Sequence, residues 1–231
     1  MKIKQGMILA AGLGKRMQPL TLKTPKPLIQ IGNKSLLERA IDLLINHGIE
    51  EIAINVYHLP DQIKDFINGK KYKAKILIFD EQDMLLDTGG GILNATRSFK
   101  KPFIVVNPDT LWSDAYNNEL KDLEDLYFKK KKPCLLLVNK NLSFDSSFKG
   151  DFNLHDGVIS RENSNKFIFT GLQILNQSVF SSIKDKIFSM NKIWNYLIEE
   201  NSLIGNESKQ KFYHLNTKEI YDKILNLKIT D

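Results

Sequence analysis

The sequence is poor in cysteine, and this scarcity limits how the chain can be stabilised. Cys134 is the only cysteine among 231 residues, so no internal disulfide can form. Paired cysteines and cysteine–histidine clusters are lacking too, which excludes structural zinc. A protein of this length buries enough apolar surface to fold without such links. A lone thiol is typical of a reducing compartment, and we expect a cytoplasmic protein.

Long apolar runs are equally scarce. Residues 7–11 are too few for a signal-peptide core, and no stretch approaches the roughly 20 apolar residues that cross a bilayer. The net charge of +6 favours anionic partners: phosphates, nucleic acid or membrane surfaces. A nucleic-acid groove would interleave basic and aromatic residues, and this pattern is missing. We interpret the lysine run at 129–132 as a solvated loop, and we expect neither nucleic acid nor a membrane as partner.

Short apolar runs alternate with helical patterns through the first 140 residues. Ser35 and Glu38 form a capping box that begins a helix, and Gly48 is placed to end it. The predicted strands are 7–10, 51–55, 74–78, 103–107 and 134–138, and the further helices are 60–67, 88–98 and 116–128. This alternation predicts an α/β fold with a mostly parallel sheet covered on both faces. Ligands of such sheets bind at the carboxyl ends of the strands.

The pattern changes after residue 147. Antiparallel strands joined by short turns are predicted at 148–154, 157–160 and 166–175, helices at 177–183, 190–201 and 217–225, and a strand at 211–215. Since no clean linker separates the two halves, we expect one continuous α/β domain.

The most informative segment is residues 9–28. A strand runs into a loop with Gly12 and Gly14, where the backbone can approach a ligand closely and consecutive N–H groups can hold an anion. Lys15, Arg16 and Lys26 add three cations, and the prolines of the segment stiffen it. The segment therefore predicts a site for a polyphosphate.

Two common phosphate motifs do not fit this segment. A dinucleotide fingerprint needs glycine where Met17 stands. A P-loop needs serine or threonine after its lysine, and Arg16 follows Lys15.

The segment LAAGLGKRMQPLTLKTPKPL at residues 9–28 resembles the signature of the sugar-1-phosphate nucleotidyltransferases. The resemblance extends through residues 87–92, 107–109, 149–152 and 169–171. It implies a Rossmann-like α/β/α sandwich with a small antiparallel sugar-binding sheet. The single domain would span residues 1–231, with a nucleotide-binding core at 1–140 and a sugar-binding and C-terminal part at 141–231.

The resemblance also implies roles for individual residues. Arg16, Lys26 and Asp109 would be catalytic: Arg16 faces the departing pyrophosphate, Lys26 neutralises the phosphates, and Asp109 binds Mg²⁺, with Mn²⁺ as an alternative. The residues implied to bind the nucleotide are Leu9, Ala10, Ala11, Gly12, Gly14, Lys15, Arg16, Lys26, Thr88 and Gly89. Those implied to bind the sugar are Asn107, Gly150, Thr170 and Gly171.

The sequence departs from the family where the metal site usually gains a second aspartate. In place of a Trp-x-Asp-x-Gly-Thr segment, residues 212–217 are FYHLNT, so His214 takes the aspartate position and Asn216 the glycine position. Neutral imidazole is a poorer ligand for Mg²⁺ than carboxylate and suits softer metals. We predict His214 as a second ligand of the metal or the phosphate. A structural role for His214, and a catalytically impaired nucleotide-binding relative, remain the alternatives.

The reaction implied is the condensation of a nucleoside triphosphate with a sugar 1-phosphate, giving a nucleoside-diphosphate sugar and pyrophosphate. Within the family, the resemblance favours UTP with N-acetylmuramate α-1-phosphate, a reaction of cell-wall (peptidoglycan) recycling. GTP with mannose 1-phosphate is the alternative. A monomer or small homo-oligomer is expected.

Overall fold

The computed structural model describes residues 2–82 and 84–227. The helices are α1 Leu36–His47, α2 Pro60–Asn68, α3 Asp87–Ala95, α4 Tyr116–Lys130, α5 Met190–Glu199 and α6 Lys218–Leu225. The strands are β1 Gln5–Leu9, β2 Gln30–Ile31, β3 Lys34–Ser35, β4 Glu51–Val56, β5 Lys75–Asp80, β6 Phe103–Val106, β7 Cys134–Asn139, β8 Asn153–His155, β9 Val158–Ser160, β10 Phe167–Leu175 and β11 Ile204–Ser208.

Local sequence signals set the ends of α1 as predicted. The Ser35 hydroxyl accepts a hydrogen bond from the Glu38 N–H at 3.2 Å, which satisfies one of the free donors of the first turn. Gly48 ends the helix in the left-handed region with φ 97°, a conformation that favours glycine. The helix therefore begins and ends where its caps lie in the sequence.

Nine strands form one sheet in the order β5-β4-β1-β6-β10-β7-β11-β9-β8. The pairings from β5 to β6 and between β7 and β11 are parallel, so seven of the nine strands run in one direction, with β9 and β10 reversed. The predicted α/β class with a mostly parallel sheet is confirmed. Because β1, β4 and β6 are parallel neighbours, their carboxyl ends meet at one edge of the sheet.

The antiparallel strands of the second half join this same sheet. β10 lies between β6 and β7, and β8 and β9 form a hairpin at the far edge. A separate antiparallel sheet has only β2 and β3. The two parts of the chain thus share one continuous sheet.

Helices cover both faces of the sheet. One core, which includes Ile8, Leu44 and Leu120, lies beneath α1, α2 and α4. The other, which includes Met7 and Ile193, lies beneath α3 and α5. Alternate residues of β1 therefore face opposite layers, as the period of two in a strand requires. The result is the predicted α/β/α sandwich.

Some local predictions for the second half are wrong. β11 was not predicted, because Ile204 is the only large apolar residue in a segment that also contains Gly205. Residues 211–215, predicted as a strand, make only isolated bridges at Phe212 and His214. The predicted strand at 148–154 begins only at Asn153, and the predicted helix at 177–183 is a single 3-10 turn. Hydrogen bonds to neighbouring segments, rather than local apolar pattern, decide these elements.

Within the described residues, no helix is long and apolar enough to cross a membrane.

Candidate active site

A cavity of about 570 Å³ opens where β1, β4 and β6 end. Leu9, Asn55 and Asn107 line it at or just beyond the ends of these strands. The predicted nucleotide-binding residues along its wall are Leu9, Ala11, Gly12, Gly14, Lys15, Arg16, Lys26 and Thr88. Ala10 and Gly89 lie outside the lining. The cavity is large enough for a nucleotide, since small-molecule sites span about 300–1,000 Å³.

The glycine loop forms one wall of the cavity. Gly14 has φ 60°, and a Cβ there would lie 2.8 Å from Thr21 Cγ2, so only glycine fits without strain. The Thr21 hydroxyl donates to the Gly14 carbonyl at 2.9 Å and holds the turn closed. Among the described residues, the N–H groups of Gly12, Leu13 and Gly14 have no acceptor. These donors are available to an anionic ligand.

Two cations of this loop are free of carboxylate partners. Lys15 and Arg16 form a 3-10 turn with Met17, are exposed, and make no ion pair with the described part of the chain. Residues at and just before the start of α2 support the loop: His58 Nε2 donates to the Thr21 carbonyl at 2.6 Å, and Gln62 of α2 donates to the Lys23 carbonyl at 2.9 Å. The loop therefore carries positive charge on a backbone that hydrogen bonds hold in place.

Asp109 lies at the centre of a charged cluster beside the glycine loop. Its Oδ2 accepts from Lys26 Nζ at 2.7 Å and lies 3.1 Å from His214 Nε2. Burial alone would raise the pKa of the Asp109 carboxyl. The charges and hydrogen bonds of Lys26 and His214 outweigh that effect and hold its pKa well below the usual range. Asp109 is therefore a carboxylate at neutral pH.

A short extended segment brings His214 to Asp109. The Leu111 N–H donates to the Tyr213 carbonyl, and the Leu215 N–H donates to the Asp109 carbonyl at 2.8 Å. These bonds align residues 213–215 antiparallel to residues 109–111, so His214 lies beside Asp109. The structure therefore brings the two residues together.

The same cluster contains acceptors without partners. Asp109 Oδ1, Asn107 Oδ1 and Asn216 Oδ1 are buried and make no hydrogen bond to any described residue. Unpaired buried oxygens are costly, so such groups normally meet a ligand or an ion. The described residues hold no group of three or more His, Cys, Asp or Glu that could enclose a metal. One carboxylate with a free oxygen suits Mg²⁺, which is usually held by one or two carboxylates together with substrate phosphates and water.

A buried polar network links the base of the loop to α3. Asn55 Oδ1 accepts from the Ala10 N–H at 2.9 Å, and Asn55 Nδ2 donates to Glu81 Oε1 at 2.7 Å. Glu81 Oε2 accepts from the Leu86 N–H at 2.8 Å. The predicted strand at 51–55 puts Asn55 at the edge of the sheet where ligands are expected, whereas no sequence signal assigns a role to Glu81. The sequence shows only an amide near the end of β4 and an acid directly after β5.

Gly91 of α3 lies against this network, and we expect Gly91→Ala to disrupt it. A Cβ at Gly91 would lie 2.6 Å from Asn55 Nδ2 and 2.9 Å from Glu81 Oε1. Overpacking costs about 1–3 kcal/mol, against a gain in helix propensity of at most about 1 kcal/mol. Urea unfolding should show a net loss of stability for Gly91→Ala. A nucleotide titration should show a weaker affinity.

The matched control is Gly12→Ala. A Cβ at Gly12 would meet nothing within 4 Å, so its free energy of unfolding should equal or slightly exceed that of the wild type. Equal stabilities for the wild type and Gly91→Ala would contradict the prediction.

The start of α3 is fixed by the segment before α5. The Gly89 and Gly90 N–H groups donate to the Phe188 carbonyl at 2.9 and 3.0 Å, and the Thr88 hydroxyl accepts from the Met190 N–H at 2.9 Å. A Cβ at Gly89 would lie 2.3 Å from the Phe188 ring. Gly89 therefore permits a close approach between elements, while Thr88 also borders the cavity.

The four predicted sugar-binding residues have different surroundings. Asn107 lines the large cavity. Thr170 is 1% exposed, and its hydroxyl donates to the Leu136 carbonyl at 2.9 Å. The Gly171 carbonyl accepts from the Asn107 N–H at 2.8 Å, and Gly150 lies against the Asn165 backbone. Thr170, Gly150 and Gly171 border neither the large cavity nor the smaller one described next.

A second, smaller pocket of about 190 Å³ lies on the other side of His214. Trp194 and Phe169 form part of its wall, with ring centroids 4.9 Å apart. Asp151 and Arg161 supply its charged groups. Asp151 lies within the motif at residues 149–152, which by itself assigns it no role, and Arg161 belongs to no motif.

The profile of the nucleotidyl transferase family matches residues 5–140. Two N-acetylmuramate α-1-phosphate uridylyltransferases are similar to the chain. The protein from Neisseria meningitidis serogroup B is 34% identical over 78% of each chain, and the one from Caulobacter vibrioides is 28% identical over 87% of each. A mannose-1-phosphate guanyltransferase from Saccharomyces cerevisiae is 30% identical over 86% of this chain, which spans 57% of that protein.

The fold has close counterparts among solved structures. A UDP-glucose pyrophosphorylase crystallised with UDP-glucose superposes with a TM-score of 0.80 over 97% of this chain and 98% of that one, at 22% identity. This likeness supports the nucleotidyltransferase architecture.

Proposed function

The chain belongs to the nucleotidyl transferase family and is a sugar-1-phosphate nucleotidyltransferase, and from this premise we propose that its substrates are UTP and N-acetylmuramate α-1-phosphate. The observation that carries the reaction type is the charged cluster of Asp109, Lys26 and His214 beside a glycine loop with two cations that make no ion pair with the described residues. The choice of substrates rests on the two uridylyltransferases, which match most of this chain and most of their own length. The product would be a UDP-sugar for cell-wall recycling.

The second candidate pair is GTP with mannose 1-phosphate. The yeast guanyltransferase favours it, with 30% identity. That relative is nearly twice as long as the matched region, whereas the uridylyltransferases correspond in length. We therefore place it second.

The reaction is an in-line displacement at phosphorus. A phosphate oxygen of the sugar 1-phosphate attacks the α-phosphorus of UTP, the bond to the β-phosphate bridging oxygen breaks, and pyrophosphate leaves. No protein nucleophile is required, so the chain contributes positioning and charge neutralisation.

Two groups of residues divide these tasks. Lys15, Arg16 and the free N–H groups of the loop would hold the triphosphate, with Arg16 toward the departing pyrophosphate. Lys26, which lies next to Gly14 of the loop, would hold the phosphates that react. Its ammonium carries three N–H donors, so it can keep Asp109 while it donates to a phosphate oxygen.

Asp109, with His214 beside it, would hold a divalent metal, Mg²⁺ or Mn²⁺. When bound, such an ion supplies Lewis-acid charge that neutralises the phosphate oxygens. The unpaired Oδ1 of Asp109 is the atom available to it. Imidazole is a weaker ligand for Mg²⁺ than carboxylate is. We therefore expect the ratio of the rate with Mn²⁺ to the rate with Mg²⁺ to be higher here than in an enzyme whose metal site has two carboxylates.

Pyrophosphate release over a matrix of four nucleoside triphosphates and four sugar 1-phosphates tests this function. The sugars are N-acetylmuramate, mannose, glucose and N-acetylglucosamine, each with Mg²⁺ and with Mn²⁺. We expect release to be greatest with UTP and N-acetylmuramate 1-phosphate. Release confined to GTP with mannose 1-phosphate would move the protein to the second candidate. UTP binding without release from any pair would identify an inactive relative, with His214 as the first residue to restore to aspartate.

Both substrates and the product are phosphorylated intracellular metabolites. We accordingly propose that the protein works in the cytoplasm, as a monomer or small homo-oligomer.

A further inference from the structure

The small pocket beyond His214 contains a cation, Arg161, that is not held in an ion pair by the described residues. Within the described part of the chain, no carboxylate lies within ion-pair distance of the Arg161 guanidinium. Asp151 also lines the pocket and acts on Arg161 electrostatically from beyond ion-pair distance, while its Oδ2 accepts from the Phe169 N–H at 2.9 Å. The pocket therefore offers a guanidinium that makes no ion pair with any of the described residues.

Neutral contacts fix the position of this guanidinium. Arg161 Nη2 donates to Asn191 Oδ1 at 2.5 Å, and Nη1 donates to Asn195 Oδ1. Its Cζ lies 4.6 Å from the centroid of the fully buried Phe152 ring. Two of five N–H donors are thus used, which leaves three for a ligand. A guanidinium held by a ring and two amides is preorganised to bind a planar carboxylate.

The pocket adjoins the reacting centre through a single residue. His214 lines the small pocket and contacts Asp109, which lines the large cavity. A sugar whose 1-phosphate reaches Lys26 and Asp109 can therefore extend its ring past His214 toward Trp194 and Arg161. Aromatic walls such as this one bind the apolar faces of sugar rings, and a charged substituent on the ring would then meet Arg161.

We propose that Arg161 binds the lactyl carboxylate of N-acetylmuramate α-1-phosphate and so selects this substrate over sugar phosphates that lack the acid. The inference rests on the proposed function and adds a residue that determines specificity. N-acetylmuramate and N-acetylglucosamine differ by the lactyl ether on O3, and the carboxylate is its only charged group. Arg161 is thus predicted to distinguish the two.

The test compares Arg161→Gln with the wild type on the 1-phosphates of N-acetylmuramate and N-acetylglucosamine, and on the muramate analogue whose lactyl acid is a neutral amide. We expect kcat/KM for N-acetylmuramate 1-phosphate to fall about 30-fold, as for a lost charged hydrogen bond. The loss should be mainly in KM, because Arg161 is remote from the phosphorus. The two neutral sugars should change less than about threefold, and Arg161→Lys should recover part of the loss.

Arg97→Gln is the matched control, since Arg97 is exposed and lines neither pocket of the site. Thermal unfolding of each variant checks that the fold is intact. Equal losses on charged and neutral sugars, or no loss at all, in an enzyme that uses N-acetylmuramate 1-phosphate would overturn the role of Arg161 and leave the proposed function standing. A wild-type enzyme inactive on N-acetylmuramate 1-phosphate would instead overturn both.

Discussion

Replacing Asp109 with asparagine should lower kcat/KM for nucleotidyl transfer about a thousandfold. The carboxylate is the acceptor shared by Lys26 and His214, and its second oxygen is the unpaired atom assigned to the metal. Asparagine keeps the shape but loses the charge. Pyrophosphate release at saturating metal measures the loss, and UTP titration by calorimetry separates metal-dependent binding from turnover.

Asp114→Asn is the control for this substitution, because Asp114 is exposed and does not line the main cavity. It should retain wild-type rates. An Asp109→Asn enzyme with more than a tenth of wild-type activity would exclude Asp109 as the metal-binding carboxylate.

The same substitution should destabilise the protein in a manner that depends on pH. The pKa of Asp109 is depressed in the folded state, so its charge contributes stability above the unfolded-state pKa of about 4, and that contribution is lost as the pH falls toward the folded-state pKa. The gap between wild type and Asp109→Asn in urea unfolding should therefore be largest near neutral pH and shrink between about pH 4 and pH 3. A gap that grows on acidification would be contrary to this account.

Replacing Lys26 with glutamine is expected to lower kcat/KM between about 30-fold and a thousandfold, equivalent to about 2–4 kcal/mol of transition-state stabilisation. Lys26 is the most enclosed cation of the cavity, with a side chain only 14% exposed, so solvent screens its charge less than that of Lys15 or Arg16. Its loss also leaves Asp109 with His214 as its one remaining partner. Single-turnover measurements would show the loss in the chemical step.

Lys23→Gln provides the comparison on the same loop. Lys23 is exposed and lies outside the cavity lining, so its replacement should change the rate less than twofold. Similar losses for Lys23→Gln and Lys26→Gln would mean that the loop acts only through its overall charge. Full activity in Lys26→Gln would remove Lys26 from the reaction.

The nucleotide half of the site was largely predictable because its signals are local. The spacing of Gly12 and Gly14, with cations directly after them, gives the loop its conformation and charge within a few residues. The pocket on the other side of His214 was harder to predict from the sequence. Arg161 belongs to no motif, and what distinguishes it is the amides and ring around it, which come from α5 and from Phe152.

Local sequence accounts for the alternation of strands and helices, the caps of α1 and the glycine loop, since each depends on period or on neighbours within a turn. Only the tertiary fold shows which charged groups from distant parts of the chain come into contact. Lys26 and Asp109 are 83 positions apart, and His214 reaches them only because its segment lies along residues 109–111. Strand order and backbone pairing bring these side chains together. The stability of such pairings depends on contacts across the whole fold, so no short stretch of sequence specifies them.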